Sequence, residues 1–317
     1  MDTTRFSPDQ WALILGGSSG FGLATAKKLA AAGLSVCAVH RDRKGAMARI
    51  EPEFQSIRDS LQQDAEFIAL NLDALSPEGI TSTLEALKPA AHGRVRVLMH
   101  SIAFGNLKPI APVRTESATQ HASLLDRLAS DLGADRDTLQ DRLEALLQEG
   151  YDAVSALVPP KYGENLIDDE DMARTIYSMG TSLLTWVQRL HAEGMFASDA
   201  RVFGMTSEGN DIAWRGYAAV SAAKTALESV SRSIAVEYAP YGIRSNIIQA
   251  GVTDTPALNA IPGSAAMKAT ARMRNPFKRL TVPEDVANVI MLLSQDEGAW
   301  VNGSLIRVDG GEHIASA

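Results

Sequence analysis

Residues 11–22 read WALILGGSSGFG: five apolar residues, then a bend in which Gly16, Gly20 and Gly22 leave room for backbone where side chains would collide. LATAKKLAAAG follows with helical composition, so the chain opens as strand, glycine-rich turn and helix. A strand this uniformly apolar needs neighbours and cover on both faces. Further apolar runs meet that need at 34–39 (LSVCAV), 66–72 (EFIALNL), 95–102 (VRVLMHSI), 200–206 (ARVFGMT), 243–250 (IRSNIIQA) and 304–309 (SLIRVD), with helical segments between them. The predicted fold is α/β: a doubly wound parallel sheet of about seven strands.

With 317 residues, 45% of them hydrophobic, the chain has material for one sizeable core, so a single domain over 1–317 is expected. The strand spacing breaks once, where about 97 residues separate the fourth run from the fifth. Residues 106–169 are read as an insertion. Leu124, Leu125, Leu128 and Leu132 recur at helical intervals, Gly133 interrupts, and Leu139, Leu143, Leu146 and Leu147 repeat the pattern, which predicts a helical hairpin. Such a hairpin is a cap over the substrate opening, an added subunit contact or a surface elaboration without a role in chemistry. After it, 170–193 reads as one long helix and Tyr217 to Tyr238 as another, stopped by APYG.

A strand that delivers the chain to a glycine turn at a helix N-terminus presents backbone N–H groups to a pyrophosphate, the arrangement of a Rossmann-type dinucleotide fold. Gly16, Ser18, Ser19, Gly20, Phe21 and Gly22 form that turn. The end of the second strand faces the adenosine ribose, where a cation would neutralise a 2′-phosphate. His40 and Arg41 stand there, with Arg41 the expected contact and Asp42 the opposing feature, so NADPH is preferred over NADH as the expected cofactor. A solvated loop is the alternative reading of these charges. Asn71 is placed for the adenine with Leu72 beside it, and Ser101, Ile102 and Ala103 for the nicotinamide ribose.

The composition excludes other chemistry. A net charge of -8 disfavours nucleic acid as a partner. His40, His92, His100, His121, His191 and His313 never fall at zinc-like spacing, so no metal is expected, and Cys37 in its apolar run reads as a buried structural thiol. Nothing at the start reads as a basic-then-apolar leader and no stretch of about 20 apolar residues occurs, so no membrane contact and a cytoplasmic location are expected.

Tyr217 and Lys224 lie seven positions apart, nearly two helical turns, so both side chains share one face. A tyrosine can donate a proton to a developing oxyanion, and an ammonium nearby can lower its pKa while holding a ribose diol. Position after the fifth strand of a cofactor fold gives the pair its weight.

The turn GGSSGFG, the SIAFG of 101–105, the Tyr-x6-Lys pair and the tail VNGSLIRVDGG resemble the short-chain dehydrogenase/reductase superfamily, and within it most of all the enoyl-[acyl-carrier-protein] reductases. Other members more often carry Tyr-x3-Lys, but position 221 here is serine. The resemblance covers about 1–105 and 170–312 and is closest to an NADPH-preferring variant group. It implies that Tyr217 hydrogen-bonds a thioester oxygen and that Lys224 binds the nicotinamide ribose. Thr255, reached through Ala250, Gly251, Val252 and Thr253, is similar to the threonine that contacts the cofactor amide and phosphate, and Ser178 resembles a small polar residue near the cofactor. Ser207 stands where the variant group has a serine and the commonest group a second tyrosine.

The implied reaction is hydride transfer from NADPH to the β-carbon of a trans-2-enoyl thioester, with acyl carrier protein as a candidate carrier and a homotetramer as the assembly. Phe104, Ile212, Trp214, Leu258 and Ile261 are candidate acyl contacts. Leu15 and Val252 depart from the family's usual threonine and proline. The serine thirteen before the tyrosine of carbonyl-reducing members falls on Gly204, so Ser207 or Thr206 would have to replace it for carbonyl reduction. The rivals are therefore an NADP-dependent carbonyl/hydroxyl oxidoreductase and a catalytically silent cofactor-binding regulatory protein.

Overall fold

The computed structural model describes residues 6–62 and 64–316. Strand β1 (Trp11–Leu15) leads into α1 (Gly20–Ala31), β2 (Ser35–His40), α2 (Met47–Ser60), β3 (Phe67–Asn71), α3 (Pro77–Ala91) and β4 (Val95–His100). After the insertion the chain continues through β5 (Phe196–Thr206), β6 (Ile243–Ala250) and β7 (Leu305–Val308). The seven strands form one parallel sheet in the order β3-β2-β1-β4-β5-β6-β7. The order reverses beside β1, and this opens a crevice at the carboxyl ends of β1 and β4.

The two faces of the sheet follow the period of two. Leu13 and Leu15 of β1 join Cys37 and Val39 in a core with Leu84, Leu87, Trp186 and Leu190, while Ala12 and Ile14 join Val36 and Ala38 on the other side with Leu29, Phe54 and Ile290. Each fully buried Val, Leu, Ile or Phe among them contributes about 1.5–3 kcal/mol of apolar burial. Cys37 is buried as expected, and burial pushes its thiol pKa up. At the amino ends of the strands Asp199 accepts from Arg96 at 2.6 Å, from Arg201 at 2.6 and 3.1 Å, and from Arg244.

The insertion carries the expected hairpin, α4 (Thr115–Asp131) and α5 (Arg136–Glu149), turned at Gly133 and started by Asp135, whose carboxylate accepts from Thr138 N–H at 3.0 Å. Only part of the leucine pattern is covered: Leu125, Leu143 and Leu147 are buried, while Leu124, Leu132 and Leu146 stand exposed. The hairpin therefore has a narrow seam.

The expected helix over 170–193 is present in two pieces, α6 (Asp169–Ile176) and α7 (Ser182–Ala192), joined by a π-helical turn at Tyr177–Thr181. The turn lies at a close helix crossing. A Cβ on Gly180 would lie 2.6 Å from the carbonyl of Ala223 in α8 (Ala218–Glu237), so the two helices touch backbone to backbone there. Helix α8 matches the expected span, with Tyr217 and Tyr238 as its flanking residues. After β6 come the short α9 (Pro256–Asn259), α10 (Ser264–Arg274) and α11 (Pro283–Ser294). Among the described residues no helix is long and apolar enough to cross a membrane.

Candidate active site

The glycine turn after β1 is packed too tightly for side chains. A Cβ on Gly16 would meet the Ser101 carbonyl oxygen at 2.5 Å, and one on Gly22 would meet the Gly16 carbonyl at 2.1 Å. Gly16 also adopts φ +88°, a conformation that costs other residues strain. The turn is pinned by Gly16 and Gly17 N–H donating to Val39 O at 2.8 and 3.0 Å. Helix α1 begins at Ser19 without a side-chain cap bond and without an acidic residue in its first turn, so its N-terminus is available to an anion. From the facing side, a Cβ on Gly20 would lie 3.4 Å from Thr255 Cγ2. This cradle fits the pyrophosphate of a dinucleotide.

The adenosine end differs from the expectation in its contacts. His40 is buried, edge-on to Phe54, with Nδ1 3.0 Å from Asp42, so its side chain supports the strand end and does not face the crevice. Arg41 is half-exposed; its guanidinium donates to Asp73 at 2.8 Å and lies 4.4 Å above the Phe104 ring. Asn71 is engaged with the Asp42 backbone at both ends of its amide, accepting from N–H at 3.1 Å and donating to O at 3.0 Å. It ties β2 to β3, and Leu72 N–H adds a bond to His40 O at 2.8 Å. At the end of β4, Ser101 N–H donates to Leu15 O at 2.9 Å and Ile102 packs against the core, while Ala103 is exposed.

Ser178 lies in the π turn, buried, with its hydroxyl donating to Phe104 O; it therefore fastens the SIAFG segment. Beyond β6, Gly251 N–H donates to Val308 O at 3.2 Å, Thr253 Oγ1 donates to Gly251 O at 2.9 Å, and Thr255 caps α9 by accepting from Leu258 N–H at 3.2 Å. Val252 N–H points to Glu312, 3.2 Å from Oε2. Ala250 ends β6 against the core.

Tyr217 and Ser207 meet: their hydroxyl oxygens are 3.2 Å apart. Burial pushes the Tyr217 phenol above its ordinary pKa, and the Ser207 hydrogen bond offsets this only in part. Lys224 is buried and donates to Met205 O at 2.8 Å; burial pulls its pKa down to about 8 against the opposing pull of Glu228. Burial and the Ser207 hydrogen bond are the two influences on the phenol here, and Lys224 is engaged elsewhere. Its ammonium is turned to a backbone carbonyl, and burial sets the phenol's direction. Thr206 is directed to Glu228 at 2.7 Å, so of the two hydroxyls weighed for the Gly204 position, Ser207 is the one that reaches the tyrosine.

An apolar wall surrounds Tyr217: Met179, Val220 and Ala223, with Leu107, Ile176, Trp214 and Ile261 packed against them. Of the expected acyl contacts, Trp214 and Ile261 belong to it. Phe104 lies under Arg41 instead, Ile212 is exposed, and Leu258 is half-buried.

Sequence reasoning missed two features. His100, read only for zinc spacing, is buried with Nε2 2.8 Å from Ser182 Oγ; burial and then the nearby Lys224 charge pull its pKa down to about 3, so it is a neutral imidazole. Arg274 of α10 donates to Glu208 at 2.6 Å and to Glu312 at 3.2 Å, gathering three separated segments behind Ser207. No local pattern signals that cluster.

Fold and site together define an NAD(P)H-dependent oxidoreductase. Residues 155–313 match a family model described as Enoyl-(Acyl carrier protein) reductase and residues 10–123 one described as short chain dehydrogenase, and the stretch between the two matches falls within the insertion. The chain belongs to the short-chain dehydrogenase/reductase superfamily. It is 29% identical over 201 residues to a cis-4-hydroxycyclohexanecarboxylate dehydrogenase of Sinomonas cyclohexanicum, covering 63% of this chain and 75% of that one. A levodione reductase of Leifsonia aquatica is 26% identical, with 99% and 97% covered. The crystal structure of FabI from Candidatus Liberibacter asiaticus shares the fold, with a TM-score of 0.70 at 19% identity over 99% of this chain and 98% of that one.

Proposed function

We propose that the chain is an NADPH-dependent carbonyl/hydroxyl oxidoreductase of the short-chain class. The observation that carries this is the Ser207–Tyr217 hydroxyl pair, 3.2 Å apart against an apolar wall, a geometry suited to gripping one carbonyl oxygen from two sides. The bound cofactor supplies a hydride. Tyr217, its pKa raised by burial, keeps its proton at neutral pH and delivers it to the oxygen as negative charge develops. Ser207 donates the second hydrogen bond. Lys224, still largely protonated at pH 7 with a pKa of about 8, lies nearly two turns further along the same helix and is suited to the ribose diol. Gly16, Ser18, Ser19, Gly20, Phe21 and Gly22 would hold the pyrophosphate from below and Thr255 from across the crevice.

Two of the relatives are named for a hydroxycyclohexanecarboxylate and for levodione, which supports this reading. Reduction of a trans-2-enoyl thioester, with acyl carrier protein as candidate carrier, is the second reading. The Tyr-x6-Lys spacing favours it, and so does the family model matched over 155–313. There the same hydroxyl pair would stabilise an enolate oxygen while the hydride goes to the β-carbon. NADPH oxidation with acetoacetyl and crotonyl thioesters, with products identified by mass spectrometry, separates the two. A hydroxyacyl product supports the proposal, and turnover of the crotonyl thioester alone replaces it by the second reading.

Assembly as a cytoplasmic homotetramer belongs to the same proposal. Trp300, Val236, Leu292 and Leu305 leave exposed apolar area on α8, α11 and the β7 edge, which supports burial against further copies.

A further inference from the structure

We propose that the insertion braces the catalytic turn, and that Tyr162 is the positioning residue through which it acts on Tyr217. The turn 214–217 carries Tyr217 into the site, with Trp214 edge-on to the Tyr217 ring at 5.4 Å between centroids. Residues of the insertion contact Arg215 and Gly216 of this turn. One edge of the Tyr162 ring abuts Gly216, so close that a Cβ there would come within 3.1 Å of ring carbon Cε1 and 3.0 Å of the Leu107 carbonyl oxygen. Gly216 also adopts φ +75°, so the turn needs glycine for its conformation and for the ring against it. The neighbouring Arg215 stacks its guanidinium 5.3 Å from the Tyr162 centroid and donates to the Ala111 carbonyl. The turn is thus held by Leu107, Ala111 and Tyr162 of the insertion, while its own Trp214 and Tyr217 rings pack into the apolar wall with Met179 and Val220.

The insertion is itself anchored. Ile167 N–H donates to Pro109 O at 3.0 Å, closing the root of the insertion, and Lys108 pairs with Asp171 of α6. At the far end Arg272 of α10 donates to Glu149 O at 3.1 Å, and a Cβ on Gly263 would meet Pro160 at 2.6 Å. A brace fixed at both ends holds the Tyr217 hydroxyl at its 3.2 Å separation from Ser207, where small displacements weaken proton delivery. The ring makes the contact with Gly216, so the phenol oxygen is dispensable.

The inference rests on Tyr217 being the proton donor, and two readouts keep the failures apart. The first needs no activity: in a W300F background Trp214 is the tryptophan that acrylamide can reach, because Trp11 and Trp186 are buried. Y162A should raise quenching of Trp214 and Y162F should leave it unchanged. The second is kinetic, with whichever thioester is turned over. Y162A should lower kcat on the order of ten-fold while KM for NADPH stays within two-fold, and Y162F should match the wild type. R215Q, which removes the stacked guanidinium without emptying the core, should reproduce the direction if Y162A fails to fold. Unchanged quenching and kcat in both Y162A and R215Q overturn the brace, as does a loss in Y162F equal to that in Y162A. If quenching rises in Y162A while Y217F retains full turnover, the brace stands and the role given to Tyr217 falls.

Discussion

Lys224→Met should give a protein that is inactive and, at neutral pH, more stable than the wild type. The ammonium of Lys224 is buried, and its pKa falls from 10.5 to about 8. At ~1.4 kcal/mol per unit, holding the charge in the folded state costs about 3 kcal/mol. Because the folded pKa is the lower one, that cost is fully present below about pH 8 and is relieved as pH rises toward 10.5. Methionine removes the charge at similar length but leaves the Met205 carbonyl without its 2.8 Å donor, a loss of about 1–2 kcal/mol. The balance at pH 7 favours the variant by about 1–2 kcal/mol, in line with other replacements of buried charges by apolar groups. Near pH 10.5 the order should reverse. Urea midpoints at fixed protein concentration, taken from pH 7 to 10.5, measure both ends. A variant that is less stable at pH 7, with a gap that does not change with pH, would refute the reasoning.

Arg41→Ala should raise KM for NADPH several-fold more than KM for NADH, since charge-assisted bonds to a 2′-phosphate are lost; equal changes would remove Arg41 from the ribose pocket. Asp73 now holds the Arg41 guanidinium at 2.8 Å, so D73N should shift preference further toward NADPH in the same assay. For Asp199, burial acts to raise the pKa, but Arg201, Arg96 and Arg244 together hold it below the ordinary 3.8, so its contribution is present above that pH and lost as pH falls through the folded value. Melting curves between pH 5 and 2.5 should therefore show D199N less stable at pH 5 and converging with the wild type in acid. Light scattering at micromolar concentration should give four times the chain mass; a monomer mass would overturn the proposed assembly.

The sheet was legible because its signals are local. Five buried residues of β1 end at a glycine that cannot be replaced, and the alternation of Leu13 and Leu15 against Ala12 and Ile14 is fixed by the pleat. The bounds of β6 and of α8 agree with the runs that announced them within a residue. Tyr217 and Lys224 were legible from position, but their electrostatics were not, since burial and the Met205 carbonyl belong to the folded state. Long-range partners escaped for the same reason. Arg41 is claimed by Asp73 and Phe104, Asn71 by the backbone of Asp42, and Arg274 by Glu208 and Glu312. The π turn at 177–181 contains Gly180, whose close contact with Ala223 joins residues more than forty positions apart. In the insertion the leucine period gave the hairpin, while the role of Tyr162 depends on a glycine in another segment.

The central claim is that the Tyr217 hydroxyl, paired with Ser207, does the proton chemistry beside a cofactor held elsewhere. Tyr217→Phe removes one oxygen and leaves the ring against Trp214 and Val220. The deciding measurement is kcat for NADPH oxidation by Y217F with the best thioester or ketone substrate, alongside the dissociation constant for NADPH from nicotinamide fluorescence. The account predicts a loss of kcat on the order of a hundred-fold or more, with NADPH affinity within about two-fold of the wild type. Turnover within about three-fold of the wild type at unchanged affinity would contradict it.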